Sequence, residues 1–219
     1  MDFSSIRWEE ISQATVETLQ ILGASGLFTV IIGLPLGVLL FMTARSASSQ
    51  VKILYTILSI IVNILRSVPF IILIVALIPF TRALVGTATG VLGTIPPLVI
   101  AAAPYFARLV ETTLREVDRG VIEAAQSMGA STGQIVRRVL LPEALPGLLA
   151  GVTITIVTLV SYTAMAGMVG GGGLGTLAIN YGYYRYQTEI MIVAVILMII
   201  LVQLLQMGGD RLVKKFTRK

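Results

Sequence analysis

Residues Thr18 to Ala44 read TLQILGASGLFTVIIGLPLGVLLFMTA, twenty-seven positions without a charge. A helix needs about 20 mostly apolar residues to cross a hydrocarbon core of roughly 30 Å, so this stretch predicts a membrane span. Four more runs follow it. Ile53 to Phe80 is interrupted only by Arg66. Ala83 to Ala107 carries no charge and holds a third span, expected to start near Leu92 and to run on past Arg108. Gly147 to Val169 is the fourth, and Ile190 to Met207 the fifth, with Gln203 and Gln206 near its end. The fold class that follows is an all-α integral membrane protein with five transmembrane helices.

Composition supports the same class. Of 219 residues, 56% are hydrophobic and 12% charged, against roughly 25% charged in a soluble domain. With 11 acidic and 16 basic residues, a soluble fold of this size could not cover its surface. The chain has no Cys and no His. That removes disulfides, thiolate chemistry, the commonest metal ligand and the commonest general base. The net charge of +5 is better explained by orientation across a bilayer than by nucleic acid.

Five spans put the termini on opposite sides. With the N-terminus outside, the inner segments 45–52, 115–143 and 208–219 hold eleven Lys and Arg residues. Arg7, Arg82 and Arg185 are the three outside. The positive-inside rule therefore predicts an outer N-terminus and a cytoplasmic C-terminus. Residues 1–14 are expected as an outer segment, with 1–13 a short amphipathic piece and Trp8 at the interface. Its Asp2, Glu9 and Glu10 and the lack of a basic start argue against a cleavable signal peptide. Residues 15–207 form the transmembrane domain, and 208–219 a basic cytoplasmic tail.

One inner segment is long enough to carry structure, from Arg115 to Glu143. Glu123-Ala124-Ala125 begins a small-residue helical stretch that stops at Gly129. Ser131, with Gln134 three residues on, fits a capping box opening a second helix. Ile135, Val136, Val139 and Leu140 recur at helical spacing, with Arg137 and Arg138 on another face. Pro142 and Pro146 punctuate the exit into the fourth span. A helix–turn–helix under the membrane would let a partner's backbone approach its small residues, while Glu and Arg fix the register.

This segment resembles the signature of ABC importer permeases of type I. That signature is Glu-Ala-Ala, three residues, Gly, nine residues, Ile, one residue, Leu-Pro. Here it reads Glu123, Ala124, Ala125, Gly129, Val139, Leu141 and Pro142, with Val replacing Ile as the single departure. The resemblance implies a coupling helix between spans 3 and 4 that sits in a cleft on a cytoplasmic ATPase. No Gly-Lys dipeptide occurs, so the chain lacks a phosphate-cradling Walker A loop. No cofactor is expected on this chain, ATP and Mg being held by the partner, and the chain itself is not expected to be an enzyme.

Inside the membrane, Arg66 has Asn63 one turn before it and Pro69 three residues after. A charge at mid-bilayer costs roughly 2.5–3.5 kcal/mol on insertion scales, so Arg66 should face protein or water. Either a broken helix lining the pathway or subunit interface, or a snorkelling arginine on a tilted span, accounts for it. Gly33 and Gly37 make a small-xxx-small packing face around Pro35, which together with Pro104 is expected to kink its span. The Gly170–Gly173 run is expected as a bendable outer turn, and Tyr181, Tyr183, Tyr184 and Tyr186 as an interfacial belt or a docking site for an outer partner. The fourth span is the richest in hydroxyls, with Thr153, Thr155, Thr158, Ser161, Tyr162 and Thr163 followed by Met165 and Met168. A solute pathway needs such groups and a lipid-facing helix does not.

The run Ser161-Tyr162-Thr163-Ala164-Met165-Ala166-Gly167, the later Gly-Gly-Leu-Gly, and Asn63 to Leu73 resemble the methionine-importer permeases. The similarity extends from about residue 15 to the C-terminus. It implies a homodimer in the bacterial cytoplasmic membrane with two copies of an ATPase, and an outer binding protein that delivers D- or L-methionine. On that resemblance Tyr162 and Met165 are assigned to the gate or pore, with Ser161, Arg66 and Asn63 beside them. The same-class alternative is a permease for another small amino acid or related solute. An intramembrane enzyme lacks a catalytic constellation, and a secondary transporter would rest on Glu111 alone.

Overall fold

The computed structural model describes residues 7–46 and 48–217, and the described residues are helical with short connections. Five helices are long and apolar enough to cross a membrane. In chain order the helices are α1 (Trp8–Ala44), α2 (Ser49–Ser67), α3 (Phe70–Ala76), α4 (Ile78–Val85) and α5 (Gly90–Arg115). Then come α6 (Arg119–Ser127), α7 (Thr132–Ile135), α8 (Leu145–Ala166), α9 (Gly173–Leu177) and α10 (Thr188–Phe216). The spans are α1, α2, α5, α8 with its short 3-10 extension to Val169, and α10.

α1 and α5 form the centre. Their backbones meet where α1 presents Gly33 and Gly37. A Cβ on Gly33 would lie 2.9 Å from the Ala103 carbonyl and from the Phe106 ring. On Gly37 it would lie 2.5 Å from the Ala107 carbonyl and from Val110. The small-residue face therefore buys a backbone-to-side-chain approach that any larger residue would prevent. Both helices continue through their internal prolines, Pro35 and Pro104.

Two apolar clusters hold the bundle. Ile21, Leu22, Phe70, Ile74, Leu98 and Leu159 join α1, α3, α5 and α8. Phe41, Phe106, Val110, Leu114, Ile122, Ile135 and Leu148 join the other ends of α1, α5 and α8 to α6 and α7. Side chains left on the outside of the spans are largely Ile, Leu, Val and Phe, as a lipid-facing surface requires.

Three expectations change. Residues 8–13 are the first turns of α1 itself rather than a separate amphipathic piece; residues 1–6 lie outside the described residues. The run Ile53–Phe80 is not one span. Its helix stops at Ser67, Val68 and Pro69 are extended, and α3 restarts at Phe70. Pro69 has no N–H to donate and forces the residue before it out of the helical region. The glycine turn after α8, expected as a bendable outer turn, is tied to α1 and α5. Thr94 Oγ1 donates to the Gly171 carbonyl at 2.7 Å, and the Gly90 N–H donates to the Gly170 carbonyl at 2.8 Å. The Gly173 N–H reaches Glu17 Oε2 at 2.8 Å and the Leu174 N–H reaches Thr18 Oγ1 at 2.9 Å. Glycine is required there because Gly170, Gly172 and Gly173 have φ of 76°, 84° and 71°.

Candidate coupling surface and translocation face

Between α5 and α8 the chain turns twice under local instructions. Asp118 caps α6, its Oδ1 accepting the Gly120 N–H at 2.6 Å, so the helix starts at Arg119, before Glu123. It ends in a Schellman motif: Ala130 N–H donates to the Ala125 carbonyl (3.1 Å) and Gly129 N–H to the Gln126 carbonyl (2.9 Å). Gly129 has φ of 78° and open space around its α-carbon. Within this chain its conformation, and not a close approach, calls for glycine. Ser131 and Gln134 then form the capping box foreseen in the sequence. After α7 a π-helical stretch, Val136–Leu140, leads into Leu141–Glu143. Pro142 cannot donate to Arg138, and the wide turn absorbs that lost bond.

This double turn is seated firmly on the spans. Ile122, Ala125, Ile135 and Leu140 are buried against the ends of α1, α5 and α8. Of the signature residues, Glu123, Ala124, Gly129 and Pro142 are exposed, Val139 and Leu141 half-buried, and Ala125 buried. The surface offered outward is thus Glu123, Ala124, Ser127 and Met128, Met128 being 82% exposed. Arg137 and Arg138 stand exposed beside Ser131 and Gln134.

On α8 the hydroxyls divide. Thr153, Thr155, Thr158 and Thr163 each donate to a carbonyl one turn back, at 2.7–2.9 Å, and Thr155 and Thr163 are buried. Their hydroxyls serve the helix itself. Ser161, Met165 and Met168 are exposed along one line of the helix, at spacings of four and three residues. Tyr162 points elsewhere: its ring is stacked on Phe70, centroids 4.6 Å apart and planes within 6°.

Arg66 and Asn63 belong to a different face. At 100° per residue, Tyr55, Ser59, Asn63 and Arg66 fall within about 80° of each other on α2. Ile53, Ile57, Ile60 and Ile64, all half or more exposed, occupy the opposite side. The polar side meets a charged cluster on α5. Glu111, 1% exposed, accepts from Arg108 Nη1 and from Arg115 Nη2, both at 2.6 Å. Arg108 Nη2 also donates to Ser59 Oγ at 2.7 Å and to Asn63 Oδ1 at 2.9 Å. Tyr55 donates to Glu111 Oε1 at 3.3 Å. The Arg66 guanidinium lies over the Tyr105 ring, 5.8 Å from its centroid. Phe70, on which Tyr162 stacks, is the first residue of α3, beyond the break that ends α2.

The triad of Arg108, Glu111 and Arg115, with its buried carboxylate, is the feature that sequence inspection overlooks. Its signal was present: Arg108, Glu111 and Arg115 stand at i, i+3 and i+7, the spacing of ion pairs on one helix face. Glu17 as a tether for the distant glycine turn had no such signal, since its partner is 156 residues away.

Residues 33–219 match the family described as binding-protein-dependent transport system inner membrane component. This chain is a member of that family. The permease is 54% identical over 203 residues to the D-methionine transport system permease protein MetI of Escherichia coli (strain K12), covering 93% of this chain and 94% of that one. A probable D-methionine permease MetI of Vibrio cholerae is 52% identical over 202 residues, covering 92% and 90%. Among solved structures, the permease superposes on a chain of the MetNI methionine ABC transporter in an inward-facing conformation, with a TM-score of 0.93, 49% identity and full coverage of both chains. It is accordingly a multi-pass membrane protein of methionine-permease type.

Proposed function

We propose that this permease carries methionine across the bacterial cytoplasmic membrane as the transmembrane subunit of an ATP-driven importer. It works as a homodimer, with two ATPase subunits on the cytoplasmic side and a binding protein outside. The observation that carries the reading is identity near 50% with methionine permeases over more than nine-tenths of the chain. The cytoplasmic side is assigned to the end bearing residues 115–143, on the excess of Lys and Arg there. ATP hydrolysis resides on the partner ATPase, because this chain offers no Walker A loop.

Geometry supplies a route for coupling. The exposed face of α6 around Glu123, Ala124 and Met128 is the docking surface for the ATPase. Ala125, Val139, Leu141 and Pro142 set its pose from beneath and behind. Ile122 and Ile135 join that surface to the base of α8 through one apolar cluster. α8, of 22 residues, then carries Ser161, Tyr162 and Met165 about 24–30 Å along its axis from Leu145. Motion applied at α6 reaches the gate through a rigid rod. Residues 15–207 act as the transporting unit, and the basic residues from 208 on serve as a cytoplasmic anchor.

The test is uptake of labelled methionine into proteoliposomes holding the permease, its ATPase and its binding protein. Uptake that requires ATP and all three parts, and that unlabelled methionine competes best, is the expected result. Stronger competition by another amino acid would overturn the substrate, and ATP-independent uptake the coupling.

A further inference from the structure

The three arginines on the α2–α5 face are not equivalent. Arg108 and Arg115 share the carboxylate of Glu111. Arg66 makes no ion pair and no hydrogen bond among the described residues; its contact is the face of Tyr105. Tyr105 is the sixteenth residue of α5 and lies ten residues from Arg115, about 22 Å and 15 Å from the two ends. Arg66 itself is the last residue but one of α2, about 26 Å along that helix from Ser49, and the chain continues beyond it through α3 and α4.

A cation among membrane-spanning helices, faced only by a ring, is held against a desolvation cost. It is exposed, and it lies on the polar side of α2, away from the Ile53–Ile64 lipid face. An amino acid in transit presents a carboxylate that must pass the same helices. Guanidinium matches carboxylate with a two-pronged set of N–H donors that no other side chain offers, and a ring beneath the guanidinium leaves those donors free.

We propose that Arg66 is the residue in the translocation pathway that receives the carboxylate of the amino-acid substrate. This rests on the methionine-import reading above. Tyr105 positions the guanidinium. Asn63, one turn earlier, is held by Arg108 and adds a polar wall to the same face. Glu111, with a single negative charge, pairs with both of the other two arginines, which leaves Arg66 as the arginine on this face without an acidic partner among the described residues. Substrates without a carboxylate, such as an amino-acid amide, gain nothing from it.

The experiment uses the complete transporter in proteoliposomes and reads methionine uptake beside ATP hydrolysis stimulated by the loaded binding protein. Arg66→Gln is expected to lower uptake by about tenfold or more, the loss of a charge-assisted pair, with stimulated hydrolysis within about twofold of the parent. Arg66→Lys retains the cation but neither the fork nor the ring stacking, and its uptake is expected to fall between the parent and Arg66→Gln. The chain has no cysteine, so Arg66→Cys creates a single thiol for charged methanethiosulfonates. The cationic reagent should restore uptake and the anionic one should not. Parental uptake by Arg66→Gln, equal loss in the Gln and Lys variants, parallel loss of hydrolysis and uptake in all variants, or equal response to both reagents would each overturn the assignment. Failure of the unsubstituted transporter to import methionine would remove the substrate reading itself, an outcome that no Arg66 variant is needed to see.

Discussion

Replacing Glu111 by Gln changes one atom and should cost the fold about 3 kcal/mol. The carboxylate receives one guanidinium on each oxygen, Arg108 on Oε2 and Arg115 on Oε1, both at 2.6 Å. A carboxamide offers one oxygen and one NH₂. Whichever way it turns, a donor then faces a donor at hydrogen-bond distance. The two sides are not equally expensive. The Arg115 side chain is 52% exposed and can find water, so its lost pair is worth under about 1 kcal/mol. The Arg108 side chain is 21% exposed. It keeps Ser59 and Asn63 as neutral acceptors but loses its only carboxylate, a charge-assisted bond worth about 1.5–3 kcal/mol. The carboxamide can keep one of the two bonds but removes the buried charge that both guanidiniums share, a loss of about 3 kcal/mol, which corresponds to a change of roughly 150-fold in the unfolding equilibrium. Unfolding of the purified permease in mixed micelles of increasing SDS fraction would measure it. The same reasoning orders the variants: Glu111→Gln most damaging, Arg108→Gln next, Arg115→Gln least. A double-mutant cycle should find stronger coupling of Glu111 to Arg108 than to Arg115. A Glu111→Gln cost below about 0.5 kcal/mol, or an Arg115→Gln cost above that of Arg108→Gln, would refute it.

Gly37→Ala places a methyl 2.5 Å from Val110 and from the Ala107 carbonyl; overpacking of that kind should destabilise by about 1–3 kcal/mol, and the same SDS titration checks it. Ser131→Ala removes one half of the capping box, costing about 1 kcal/mol; hydrogen exchange at the Gln134 amide should accelerate, while amides in the middle of α5 stay protected. Gly129→Val puts a β-branched residue at φ of 78° with space around it, so the cost is backbone strain of about 1–3 kcal/mol. If α6 docks on the ATPase, this change should lower methionine uptake more than Ala130→Gly does.

How much of this was visible beforehand depends on the range of the interaction. The spans needed only local hydrophobicity, and all five emerge near their expected places because burial in lipid is decided residue by residue. The turn from α6 to α7 was equally legible. Its stops are Gly129 and the pair Ser131 and Gln134, which act within four residues. The break at Pro69 was half visible: the proline was plain, but the length of Ile53–Phe80 suggested one long helix with a projecting end. The α8 hydroxyls misled because composition does not say where a threonine donates. Four of them bond to their own helix, leaving Ser161 as the exposed hydroxyl in its line with Met165 and Met168. Glu111 looked like an isolated carboxylate until α2 was laid against α5.

The two helices that flank α5 are attached to it by different physics, and that difference bears on which contact can open. α1 meets α5 through Gly33 and Gly37 at backbone range, over an apolar surface that includes Phe41, Phe106 and Val110. Separating them would leave voids that neither lipid nor water fills well, so this pair behaves as one body. α2 buries only Val62 among its described side chains. Its hold on α5 combines a small apolar cluster, in which Val62 packs with Leu40 and Ala107, with hydrogen bonds: Arg108 donates to Ser59 and Asn63, Arg115 donates to Tyr55, and Tyr55 donates to Glu111. Each of these bonds has a charged partner and is worth about 1.5–3 kcal/mol, but water can take the place of a lost partner in a way that it cannot fill a glycine-lined seam. The α1–α5 contact is therefore the tighter of the two: opening it would empty a glycine-lined seam, whereas α2 meets α5 across one small apolar cluster and a set of polar bonds, and its helix breaks at Val68–Pro69.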